Sequence, residues 1–225
     1  MMLTAEESKK RYQTYLGADA GAAFYEIVGE VLLLHAKWGD YLALFDKESR
    51  VDLLNEAAPE IFARLQYTLL DDVMLHVARL ADPPKSMGKT NLSIKGVVGL
   101  LPDHKHSDSL KPLIADFDGK VAAARDWRNR RIAHIDYDLA VGKPATPLAP
   151  TSRASVKEAI EAGAGILNAI SIHYTTSNLG YDFDQGPATD LIYVLDEGIR
   201  AAQRRKEKWA AGKEVPPDEL PARDL

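Results

Sequence analysis

The densest chemistry in the chain lies in one segment, Arg125-Asp126-Trp127-Arg128-Asn129-Arg130-Arg131-Ile132-Ala133-His134-Ile135-Asp136. Residues 125–131 hold four arginines against one aspartate, a positive patch in a protein of formal net charge −5. Arginine presents a rigid fork of donors that matches a phosphate. Histidine, with a free pKa of ~6.5, moves protons near neutrality. Asparagine adds a neutral donor and a neutral acceptor. Together an arginine of this segment, Asn129 and His134 can grip a phosphodiester, orient a ribose hydroxyl and transfer its proton, all without a metal. The plainer reading is an anion-binding or solvated helix end, since cations near a helix C-terminus are favoured by the macrodipole.

Spacing constrains the trio. Arg128 and His134 are six residues apart, so on a straight α-helix they point ~120° apart. They converge only if the arginine curls around, if the helix ends or distorts near Ile132, or if a second copy supplies the other group. Arg130 and Arg131 stand four and three residues before His134 and share its helical face. With Arg125 and Asp136 they are assigned to substrate contact, the arginines to phosphate.

Other signals fail. Gly88-Lys89-Thr90 resembles the end of a phosphate-binding loop, but the required earlier glycine is Pro83. Gly163 and Gly165 lie inside a helical pattern with no strand before them, and more simply let another helix approach. None of the six histidines follows a glutamate by three residues, so a di-metal bundle site is missing. His104 and His106 fall in a polar stretch that reads as a loop. His35, His76 and His173 sit singly on amphipathic helices, where packing is the simpler role. No metal and no cofactor is called for.

The elements that must position the patch read as helices nearly throughout. Phe24, Ile27, Val28, Val31, Leu34, Trp38, Leu42 and Phe45 recur at helical spacing over 19–45. A second helix runs from Pro59 in its first turn to the stop at Asp82-Pro83-Pro84. Ser93 caps a short helix ending before Pro102. The patch itself ends a helix predicted over Ser109–His134, with Pro112 in its first turn. Residues 142–150 form a proline-rich connector. Thr151 and Ser152 open another helix, and Thr189 caps a last one over 190–209. Its tail places Arg204, Arg205, Lys206, Lys208 and Lys213 against Glu207, a cluster that either steers RNA or is merely solvated. The polar sequence "KSMGKTN" reads as a loop. No stretch alternates with the two-residue period of a strand. The pattern predicts an all-α, up-and-down bundle forming one domain over 1–210, with 211–225 disordered.

Composition narrows the function. At 225 residues and 46% hydrophobic, the chain can bury a full core. The acidic balance excludes a whole-surface footprint for duplex nucleic acid but not a local patch. The absence of cysteine excludes disulfides, thiolate nucleophiles and Cys-ligated metals. A cytoplasmic location without membrane association is expected, since the N-terminus is polar and no run approaches the ~20 apolar residues of a span.

"RNRRIAH" resembles the signature of the HEPN superfamily: an arginine, a polar residue, a few more residues, then a histidine late in a long helix. "LDDVMLHVARLADPP", then "NLSIKGVVGLLP", then "ARDWRNRRIAHIDYD" resemble, in that order, the abortive-infection U-type branch, and Asp136 two residues past the histidine fits it too. The resemblance covers about 23–200. It implies a HEPN-type bundle with extra helices and a metal-independent endoribonuclease. It further implies a toxin or phage-defence effector, an RNA substrate, an antitoxin partner and a homodimer whose motif helices meet across a cleft. It makes Arg128, Asn129 and His134 the catalytic set. The expected chemistry is 2′-hydroxyl attack on phosphorus, leaving a 2′,3′-cyclic phosphate and a 5′-hydroxyl. Tyr137 stands three residues after the histidine, not two as in the family's toxin branches, which counts against regulation by its modification. The rivals are a non-catalytic HEPN-like interaction or nucleotide-binding module and a structural bundle whose arginine patch binds an anion.

Overall fold

The computed structural model describes residues 4–181, 186–216 and 220. Helix α1 (Ala5–Leu16) opens on a reciprocal cap. Glu7 N donates to Thr4 Oγ1 at 3.2 Å, and Thr4 N donates to Glu7 Oε2 at 2.7 Å. This satisfies two donors that a helix start leaves orphaned. Gly17, at φ +90°, ends α1. A Cβ on Gly21 would collide with the backbone of Gln13, so only glycine lets α2 (Ala18–Phe45) start against α1.

Helix α3 (Glu48–Ala57) follows, tied back by Arg50 Nη1, which donates to the Ala43 carbonyl at 2.6 Å. Helix α4 (Pro59–Leu80) starts on its proline, where the missing N–H costs nothing, and stops just before Asp82-Pro83-Pro84. The expected loop at 85–91 contains a two-residue antiparallel ladder, β1 (Lys85–Ser86) with β2 (Lys89–Thr90). Met87 and Gly88, at φ +49° and +78°, give the left-handed turn that such a tight hairpin requires. Two-residue strands are too short to show alternation.

Ser93 caps α5 (Ile94–Leu100), its Oγ accepting from Gly96 N at 3.2 Å. The stretch around His104 and His106 is helical, contrary to the loop expected there. Asp103 Oδ1 accepts from Lys105 N at 3.0 Å and His106 N at 3.2 Å, which starts α6 (His104–Ser109). The motif helix comes in pieces: α7 (Lys111–Lys120), α8 (Ala122–Trp127) and a π-helical turn over Arg128–Ile132. A short α9 (Tyr137–Ala140) and the proline-rich connector lead to α10 (Arg153–Thr175), capped by Ser152. Helix α11 (Gly186–Ala210) begins one turn earlier than expected, with Pro187 in its first turn. Of the tail expected to be disordered, residues 217–219 and 221–225 lie outside the described residues.

The chain is an all-α bundle, and the hairpin is its only sheet among the described residues. It forms two compact units: 1–38 with 69–183, and 39–68 with 184–225. In the first unit, Phe24, Ile27 and Leu34 of α2, Val73 and Met74 of α4, Ile94 of α5, Phe117 of α7 and Ile166, Leu167 and Ile170 of α10 are buried. Helices α7 and α10 pack closely because Gly163 has no side chain. A Cβ there would meet Phe117 Cε2 at 3.2 Å and Ile94 Cδ1 at 3.3 Å. Gly165 faces open space, so the close approach expected of both glycines belongs to Gly163 alone. In the second unit, α3 packs on α11 and Leu54 is buried.

Candidate functional site

Phe117, Val121 and Ala124 bury one face of α7 and α8, which leaves Arg125 and Arg128 beside the end of α4. Arg125 Nη2 donates to the Ala81 carbonyl at 2.6 Å and to Asp118 Oδ1 at 2.7 Å. Lys95 Nζ holds the other oxygen of Asp118 at 2.6 Å. Burial pushes the Asp118 carboxyl up, but the hydrogen bonds from Lys95 and Arg125 outweigh it and leave it below its ordinary value. One turn on, Arg128 Nη1 donates to Asp82 Oδ1 at 2.6 Å, and its Nε donates to Asn129 Oδ1 at 3.0 Å. Among the described residues the third guanidinium nitrogen, Nη2, makes no hydrogen bond.

The helix then widens. Ala133 N donates to the Arg128 carbonyl at 2.8 Å, a five-residue step in place of the α-helical four. Asp136 N reaches the Arg130 carbonyl at 3.0 Å, and the chain bends at residues 133–134. The ~120° separation imposed by a straight helix therefore does not describe Arg128 and His134. His134 is exposed and, among the described residues, makes no hydrogen bond or ion pair.

Arg130 and Arg131 point to different partners. Arg130 is only 20% exposed. Its Nε donates to Asp136 Oδ2 at 3.1 Å, its Nη1 to Asp126 Oδ1 at 3.4 Å and to the Pro147 carbonyl at 3.3 Å, and its Nη2 to the Thr146 carbonyl. Asp136 also caps α9, its Oδ1 accepting from Leu139 N at 3.1 Å. That amide, then Arg130, holds the Asp136 carboxyl below the usual carboxylate range. Arg131 is exposed and lays its guanidinium 4.7 Å over the Trp127 ring.

The connector is a strap along this segment. Ala149 N donates to Asp126 Oδ2 at 2.8 Å, and Trp127 Nε1 donates to the Ala149 carbonyl at 2.8 Å. With Arg130 on the carbonyls of Thr146 and Pro147, three residues of the motif helix fasten residues 146–149. Four of the positions read from sequence thus have fixed surroundings: Arg125, Arg128, Arg130 and Asp136. Asp82, Asp118 and Asp126, which position them, carry no spacing signal in the sequence; Asp82 reads only as a helix stop.

A second titratable cluster joins α6 and α10. His106 and His173 stack at 3.8 Å, and His173 Nε2 lies 3.3 Å from Asp103 Oδ2. Burial, then His173, lowers the His106 pKa. Among the described residues no group of three or more His, Cys, Asp or Glu could hold a metal ion, and no helix is long and apolar enough to cross a membrane.

No curated protein and no solved structure matches this chain. A family model does: the HEPN-type model described as AbiU2 matches residues 18–191, most of the chain and all of the segment built above, so the chain belongs to the AbiU2 family of HEPN proteins.

Proposed function

We propose that the protein is a metal-independent endoribonuclease acting in abortive infection, as a toxin or phage-defence effector. One observation carries the reading. An exposed histidine with no bonding partner among the described residues follows, across a π-helical turn, an arginine held in place by a carboxylate. Arg128, oriented by Asp82, keeps Nη2 for a non-bridging phosphate oxygen. His134 takes the proton of the ribose 2′-hydroxyl as that oxygen attacks phosphorus. The 5′-oxygen leaves and receives a proton, giving a 2′,3′-cyclic phosphate and a 5′-hydroxyl. A homodimer through the motif helix places a second histidine at the same phosphate, so that one acts as base and the other as acid. Asn129 orients Arg128. Arg130 and Asp136 position the His134 loop, and Arg131 meets the RNA. In the cytoplasm, an antitoxin restrains the enzyme.

The non-catalytic reading also has an observation behind it: Arg125, Arg128 and Arg130 already donate to protein acceptors. RNA cleavage in EDTA separates the two. The wild-type protein is expected to cleave and leave cyclic-phosphate ends. His134→Ala should lower the rate by about 100-fold or more. Because His134 is exposed, that variant should keep its stability to within about 0.5 kcal/mol. Undiminished cleavage by folded His134→Ala would remove the residue from the mechanism.

A further inference from the structure

Three residues beyond His134 the chain presents an aromatic ring that the proposed chemistry does not use. Tyr137 opens α9 and is 67% exposed. Its backbone is fixed by Asp136, which caps the same helix. Lys143 Nζ lies 4.7 Å from the ring centroid and 3.6 Å from Asp138 Oδ1. The Lys143 amide donates to the Asp138 carbonyl at 2.9 Å, so the turn after α9 holds the cation against the ring. On the other side of His134 in the chain, exposed Arg131 lies over Trp127. Along the chain His134 therefore lies between two cation–aromatic stacks, each with an exposed member.

Such a composition suits single-stranded RNA. Unpaired bases stack on aromatic faces and arginine planes, while cations draw the phosphates. We propose that Tyr137 is a stacking platform for the nucleobase flanking the scissile phosphate, with Lys143 attracting the adjoining phosphate; this rests on the endoribonuclease reading. A base inside a duplex has both faces covered by its neighbours, so the platform selects unpaired RNA. It is indifferent to base identity, because every base offers a π-face and the ring face carries no hydrogen-bond code. A second copy of this chain is the competing occupant. A two-fold contact centred on Tyr137 would set Lys143, which lies beside the ring, against its own copy, and like charges oppose it.

The test uses the full chain carrying His134→Ala, so that RNA survives the measurement. The probe is a labelled, mixed-sequence, single-stranded oligoribonucleotide. Controls are the same strand annealed into duplex and the same strand with abasic sites. Adding Tyr137→Ala should weaken single-strand binding about tenfold, the effect of losing one base stack. Tyr137→Phe and Tyr137→Trp should bind as the parent does. Duplex and abasic RNA should bind weakly and equally with or without the ring. Unchanged affinity in Tyr137→Ala overturns the platform. So does a loss in Tyr137→Phe equal to that in Tyr137→Ala, which would make the hydroxyl the contact. A change of sedimentation mass in Tyr137→Ala would assign the ring to self-association instead. Wild-type cleavage in EDTA, measured in parallel, separates the two levels: if RNA is cut but Tyr137→Ala binds normally, only the platform falls. If neither binding nor cleavage occurs, both fall.

Discussion

Arg128 Nη1 lies 2.6 Å from Asp82 Oδ1, although 46 residues separate the two in sequence. Their side chains are 22% and 27% exposed, so water screens the pair only in part. Asp82 stands between the end of α4 and two prolines, a position the chain cannot easily vacate. Ala81, beside it, accepts from Arg125. One helix end thus fixes two arginines of the patch, and Arg128 is held there through Nη1 while Nη2 makes no hydrogen bond among the described residues.

Asp82→Ala should therefore lose catalysis before it loses fold. A charge-assisted hydrogen bond at this exposure is worth about 1–2 kcal/mol, well short of unfolding a domain of this size. Cleavage should fall by about tenfold or more because the guanidinium loses its orientation. Asp82→Asn keeps an acceptor oxygen and should fall less. Equal rates in all three proteins would show that Arg128 needs no holder.

That pairing also marks where sequence reading stops. The arginine–histidine segment is legible because residue type alone reports its chemistry, and Ser93, Pro59 and Pro112 mark helix starts by mechanisms that act locally. Asp82 is legible only as a helix stop, since nothing local reveals a partner 46 residues away. The π-helical turn leaves no mark in composition, because one extra residue in a turn changes no residue type. The connector reads as irregular, and it is; its carbonyls become acceptors for Arg130 and Trp127 only after folding. The Thr4–Glu7 cap is legible as a T-x-x-E pattern, because both of its bonds are local.

Acid should destabilise the fold through His76. The ring is buried. Its Nδ1 accepts from Lys37 Nζ at 3.5 Å, which requires that nitrogen to be unprotonated, and its Nε2 lies 3.0 Å from Glu30 Oε2 without the alignment of a hydrogen bond. Asp72 and Arg79 complete the charged surroundings. Burial first, and Lys37 second, lower its pKa in the folded state. The unfolded chain then binds the proton more readily. Stability is complete above ~6.5, the unfolded value, and is lost as pH falls below it. His106, also lowered, adds in the same direction. The lowered carboxyls, Asp103, Asp118 and Asp136, act only in more acidic solution. Thermal midpoints taken from about pH 7.5 to about 5.5 should fall for the wild type. They should fall less for His76→Met, a substitution that removes the titrating group at similar volume. An identical slope in the two proteins would remove His76 as the cause.

The two glycines of α10 should respond to alanine differently. Gly165 is exposed and has open space for a Cβ, so Gly165→Ala should stabilise by up to about 1 kcal/mol through helix propensity. Gly163→Ala gains the same propensity but presses on Phe117, which is fully buried. Overpacking of that kind costs about 1–3 kcal/mol. Denaturant midpoints should therefore rank Gly165→Ala above wild type and Gly163→Ala below Gly165→Ala. Equal midpoints for the two variants would mean that α7 and α10 separate more easily than their packing implies.

Adjacent arginines should separate structure from RNA contact. Arg130 serves four protein acceptors and closes the 130–136 loop that carries His134, from side chain to side chain and from carbonyl to amide. Arg131 is exposed over Trp127. Arg130→Ala frees Asp126, Asp136 and two strap carbonyls at once. It should lower thermal stability and let the His134 loop move, so that kcat falls while single-strand affinity changes little. Arg130→Lys should recover little, because one ammonium cannot serve acceptors spread along a guanidinium. Arg131→Ala should do the opposite. Stability should fall less than in Arg130→Ala, because Arg131 is exposed. RNA affinity should fall, and the slope of log affinity against log salt should flatten by ~0.7, the value for one phosphate contact on a single strand. Thermal melts with salt-titrated binding of both variants decide the matter. A flattened salt slope in Arg130→Ala with a steady slope in Arg131→Ala would exchange the two roles, and would mean that the strap opens when RNA binds.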